Sequence, residues 1–122
     1  MTGYDPGNTN IIDYITIASA GNATDFGDTL TSTHAAAGCA SPTRGIMAGG
    51  WPGINVIEYV TIATKGNGQG FGDLTYKNRQ EGGGCASAIR SIFAGGYVSP
   101  ASNVINFVNI ATLGDAVDFG DL

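Results

Sequence analysis

The sequence predicts an all-β chain built from repeated four-stranded antiparallel units. The first observation behind this is a phrase that occurs three times: IIDYITIASAGNATDFGDTL at 11–30, VIEYVTIATKGNGQGFGDL at 56–74 and VINFVNIATLGDAVDFGDL at 104–122. Between the copies lies a second phrase, GCASPTRGIMAGGW at 38–51 and GCASAIRSIFAGGY at 84–97. Self-similarity at a fixed period marks a repeat architecture. The second observation is composition. Glycine supplies 20 of 122 residues, roughly twice average usage, and only 12% are charged. β-Branched and aromatic residues are plentiful and the net charge is −5. Short strands joined by tight turns suit this composition, and long helices or disorder do not.

Residues 1–9 form a polar lead with Gly3, Pro6 and Gly7, expected to be loose. The stretch 11–19 has the Ile, Thr and Tyr content of a strand. Gly21-Asn22 signals a turn, and a short strand is expected over 25–30. The run TSTHAAA at 31–37 reads as loop or a poor helical turn, and its counterpart TYKNRQEGG at 75–83 reads as loop. Short strands follow near 39–41 and 44–48, the latter ended by Gly49-Gly50. In the next copy the strand 91–94 is ended by Gly95-Gly96. The opening phrase returns as strands at 56–64 and 104–112.

The anchors keep a near-constant period. Phe26 and Phe71 are 45 residues apart, Phe71 and Phe119 are 48, and Arg44 and Arg90 are 46. The slack falls in loops, WPGIN in one repeat and YVSPASN in the next. The units are a lead at 1–9, repeats at 10–53 and 54–102, and a partial repeat at 103–122.

Over 56–64 the two alternating faces are Val56, Glu58, Val60, Ile62 and Ile57, Tyr59, Thr61, Ala63. Both are largely apolar, which requires a sheet covered on both sides. A lone four-stranded sheet cannot supply that cover, but face-to-face stacking of several can, as in the blades of a β-propeller.

The residues also carry a resemblance. Arg-x-Ile-x-Ala-Gly-Gly-aromatic, followed by Val-Ile-x-Tyr/Phe and a further aromatic, resembles a kelch-type propeller repeat. Arg44 and Arg90, the paired glycines, and Tyr59 and Phe107 match its signature, while Phe71 and Phe119 stand where such repeats usually carry Trp. The combination TIA-x-x-GN-x-x-DFGDL with GCAS-x-x-R-x-I-x-AGG is similar to repeats in virion structural proteins of tailed phages infecting marine cyanobacteria. The resemblance implies synthesis in a host cytoplasm, incorporation into a virion, and a scaffold or host-recognition role.

Counting strands gives ten, or about 2.5 blades per chain, below the usual four to eight. The expected architecture is therefore a ring completed by oligomerisation. Three chains would give about six blades, with the terminal half-unit exchanged, displaced or left outside. Alternatively the chain is a segment of a longer array.

Several functions are disfavoured. Nucleic-acid binding needs clustered cations, and the five basic residues Arg44, Lys65, Lys77, Arg79 and Arg90 are scattered. The start MTGYDPGNTN lacks the pattern of a secretory signal, and no apolar run is long enough to span a membrane. Cys39 and Cys85 occupy equivalent places in successive repeats. They are expected to be reduced, buried hydrophobes, too far apart for a disulfide and matching no zinc pattern.

Motifs reduce to structure. Asp-Phe-Gly at 25–27 and 118–120 is the magnesium-binding string of kinases, but no other kinase element is present. Here Phe26, Phe71 and Phe119 are expected to fill the core together with Tyr59, Phe107, Cys39 and Cys85, with the glycine permitting a turn. The series Asn22, Asp25, Asp28 would suit calcium, but the middle copy reads Asn67, Gly70, Asp73, so no metal or other cofactor is expected. Asp28, Asp73 and Asp121 recur in all copies and are paired with Arg44 and Arg90 as semi-buried ion pairs. His34, alone in its loop, reads as a surface residue. Trp51 and Tyr97 follow the double glycine, where they would cap a sheet or an interface, or contact a glycan. No catalytic pair converges, so the expectation is a non-enzymatic, self-associating structural protein. The alternative is a carbohydrate-binding propeller lectin.

Overall fold

The computed structural model describes residues 7–78, 82–97 and 99–122. The start of the expected lead and the centre of the loop after the second opening phrase lie outside them. Ten strands are described: β1 (Thr9–Tyr14), β2 (Thr24–Thr33), β3 (Ala37–Ala40), β4 (Arg44–Ala48), β5 (Ile54–Thr61), β6 (Gln69–Asn78), β7 (Gly83–Ala86), β8 (Arg90–Ala94), β9 (Val104–Asn109) and β10 (Val117–Asp121). They form three antiparallel sheets: β1-β2, β3-β4-β5-β6 and β7-β8-β9-β10. The described residues are thus all-β, and their sheets do not close into a ring. Among the described residues, no helix is long and apolar enough to cross a membrane.

Each four-stranded sheet is a meander in which sequence neighbours pair. Each begins at the GCAS strand and ends in the Phe-Gly-Asp strand, so the sheets differ in phase from repeats counted from the opening phrase. Register repeats as faithfully as sequence. Ile11 pairs with Asp28, Val56 with Asp73 and Val104 with Asp121. In all three copies the ladder then skips one residue, between Gly27 and Asp25, Gly72 and Gly70, and Gly120 and Asp118. The skipped residue is Phe26, Phe71 or Phe119. A β-bulge inserts one residue against none on the partner and bends the strand. The glycine therefore serves a bulge within a strand rather than the expected turn.

Two other expectations change. The segments 31–33 and 75–78 are strand, extending β2 and β6 to ten residues each. Thr75 is held there by Asn106 Oδ1, which accepts from its amide (3.3 Å) and hydroxyl (2.7 Å), and Tyr76 donates its hydroxyl to the Gly95 carbonyl. Conversely β1 stops at Tyr14, whereas β5 continues to Thr61, where it pairs with Arg44 of β4. Among the described residues, the β1-β2 sheet has no third strand to hold that extension.

The two-sided cover expected of the middle copy is present: Ile57, Glu58, Tyr59 and Val60 are all buried. The main core lies between the two four-stranded sheets. Ile46, Ala48, Ile57, Tyr59, Phe71 and Leu74 of the first sheet meet Phe93, Val108, Ile110 and Ala116 of the second. The sheets come close where β3 passes β7. A Cβ on Gly84 would stand 2.6 Å from the Gly38 carbonyl oxygen, so the glycine of GCAS is needed for that approach.

Candidate assembly interface

The sheets are joined by a backbone clip that occurs twice. Gly66 donates its amide to the Phe26 carbonyl (2.9 Å) and Gly68 to the Asp28 carbonyl (2.7 Å). The Asp28 amide donates to Asn67 Oδ1 at 3.0 Å. At the next junction Gly114 donates to the Phe71 carbonyl (2.9 Å) and Ala116 to the Asp73 carbonyl (2.8 Å). The Asp73 amide donates to Asp115 Oδ1 at 3.0 Å. The donors in one sheet and the acceptors in the next are sequence equivalents throughout.

The clip uses the free edge of the Phe-Gly-Asp strand, where the Phe and Asp backbone groups, two residues apart, bond outward rather than to their own ladder. The clip also demands glycine. A Cβ on Gly27 would lie 2.5 Å from Gly66 C, and one on Gly72 would strike the Gly114 carbonyl. Side chains reinforce the joints. Glu58, buried, accepts from the Leu30 amide at 2.8 Å, and its equivalent Asn106 accepts from Thr75. Arg44 donates to the Ile110 carbonyl at 2.6 Å and lies 4.6 Å over the Tyr59 ring. Lys65 bonds the Tyr14 hydroxyl across the first junction.

The ion pairs expected of Arg44 and Arg90 with Asp28, Asp73 and Asp121 are not formed among the described residues. Arg44 takes a carbonyl and a ring instead. Arg90 lies 5.0 Å over Phe107 and is exposed. Asp28 and Asp73 serve the joints through their backbone groups, and their side chains face solvent.

The expected core residues divide by position along the chain. Phe71 and Tyr59 are buried, whereas Phe26 and Phe107 are half-buried. Phe119 is 54% exposed against 3% for Phe71, and Leu122 is 76% exposed against 5% for Leu74. Each Phe nevertheless meets its Tyr or Phe partner edge-on: Tyr14–Phe26, Tyr59–Phe71 and Phe107–Phe119, with centroids 5.9 to 6.0 Å apart. The local design is thus identical, and only the cover differs.

The cysteines behave the same way. Both are free; Cys39 is half-buried against the core, and Cys85 is exposed, contrary to expectation, because no described sheet covers its face. Burial pushes the Cys39 thiol above its ordinary 9.0, which suppresses the thiolate and any nucleophilic role.

His34 is half-buried rather than a solvated loop residue. Its Nδ1 lies 2.7 Å from Asn8 Oδ1, and its ring stacks on Trp51 at 6.0 Å. Trp51 is half-buried and Tyr97 is exposed. Among the described residues, no group of three His, Cys, Asp or Glu side chains converges to hold a metal.

Sequence reading missed the joint. Its signal was present in Asn22, Asn67 and Asp115, which share a side-chain oxygen at one position of the repeat. No protein-family model matches the chain, and no curated protein is similar to it.

Proposed function

We propose that this chain is a non-enzymatic structural protein that self-assembles into a β-propeller, serving as scaffold or host-surface recognition element of a phage-type particle. The observation that carries self-assembly is the repeated clip, together with the apolar residues Val117, Phe119 and Leu122 that no described sheet covers. Phe119 and Leu122 are where Phe71 and Leu74 are, without the neighbour that buries those two. Exposed contiguous apolar surface of this kind marks an interaction site, and an unpaired sheet end invites association. The virion assignment rests on the resemblance of the repeated phrases. Sedimentation velocity over a range of concentrations tests self-assembly: species heavier than the 12.4 kDa chain are expected, and a single light species at high concentration would remove the reading.

The carbohydrate-binding alternative draws on the exposed Tyr97 ring. Trp51 favours it less, since its ring is engaged by His34. A glycan array separates the readings, because a lectin gives glycan-dependent signal that Tyr97→Ala abolishes.

A further inference from the structure

The clip has two halves, and among the described residues each half also occurs once without its counterpart. The acceptor half is Phe119, Gly120 and Asp121. The donor half is the loop of Gly21, Asn22 and Ala23, equivalent to Gly66, Asn67, Gly68 and to Gly114, Asp115, Ala116. Space has been left for the contact. A Cβ on Gly27 or Gly72 would strike the neighbouring sheet, whereas one on Gly120 meets nothing within 4 Å. A second feature shows the same asymmetry independently. Arg44 reaches the Ile110 carbonyl, and Ile110 is 2% exposed; the equivalent pair is Arg90, exposed, and Ile17, 95% exposed.

Resting on the self-assembly reading, we infer that two copies of this chain join head to tail through a third clip, in which the 21–23 loop of one copy docks on Phe119, Gly120 and Asp121 of the other. Gly21 and Ala23 donate to the Phe119 and Asp121 carbonyls, the Asp121 amide donates to Asn22, and Arg90 takes the Ile17 carbonyl. Phe119 and Leu122 are covered by the incoming β1-β2 sheet. Because the clip already seats that two-stranded sheet against the next one, it occupies a full angular position. The three described sheets fill three positions, and those of two copies fill six, within the four to eight that propellers use. Three copies would fill nine. Unlike a symmetric patch meeting itself, this contact is heterologous and closes only if the rotation per sheet suits the ring.

Native mass spectrometry of the intact chain, with two paired variants, tests the arrangement. A species of twice 12.4 kDa is expected. Ile17→Asp with Asn22→Ala disables one half of the joint, and Phe119→Asp with Leu122→Asp disables the other. Each double variant should shift the dissociation midpoint by at least about tenfold, equivalent to about 1.4 kcal/mol. Mixing the two should restore a pair, since one intact joint remains between them. Circular dichroism checks that the variants fold, and their substitutions fall on exposed or loop residues. A mass of three chains, or an open high-mass series, overturns the two-copy ring while self-assembly stands. Assembly unaffected by both variants overturns the joint. A monomer at all concentrations overturns both readings.

Discussion

Gly72 has no room for a side chain because the Gly114 carbonyl occupies that space. Gly70, two residues earlier in the same strand, faces open space. Gly72→Ala should therefore lower stability by about 1–3 kcal/mol through overpacking, while Gly70→Ala leaves the melting temperature within about one degree or raises it slightly. Thermal unfolding followed by circular dichroism compares them. At Cys39 the sign of a pH effect follows from burial. The folded thiol holds its proton to higher pH than the unfolded one, so its contribution is complete below pH 9.0 and is lost as pH rises through the elevated folded value. Denaturant midpoints above pH 9.0 should fall more steeply for the native chain than for Cys39→Ala. The glycines were legible in the sequence as repeated punctuation, but their purpose was not. A turn and a bulge both ask for glycine, and the phrase Phe-Gly-Asp fits either until the ladder register is known.

At the scale of elements, each sheet junction depends on a loop that offers two amides and one side-chain oxygen to a bulged strand. Asn67 and Asp115 perform the same task with different charge. Asp115→Asn should consequently be nearly neutral, and Asp115→Ala should cost about 1–2 kcal/mol, since the Asp73 amide loses its partner. Equilibrium unfolding in urea measures both. Strand number and most strand positions were readable because the apolar pattern and turn residues repeat. The ends of β2 and β6 were not, since Thr31, Thr33 and Thr75 read as loop formers until Asn106 and the neighbouring sheet supply partners. The joint itself escaped notice because its acceptor is split between Asn and Asp, and its other members are backbone groups that carry no sequence signature.

For the whole molecule, identical phrases have different burial. The expectation of Phe26, Phe71 and Phe119 as equal core residues fails in the isolated chain because cover comes from the next sheet, and no local pattern records whether a next sheet exists. Phe71→Ala should destabilise the chain by about 3–5 kcal/mol. Phe119→Ala should leave the dilute chain within about 1 kcal/mol of the parent and act mainly on association. In the proposed assembly the open face at 117–122 is covered as 69–74 is covered within the chain. Hydrogen–deuterium exchange of these two segments at high protein concentration tests it most directly. Protection of 117–122 should rise with concentration to approach that of 69–74. Unchanged fast exchange at 117–122 in a fully assembled sample would contradict it.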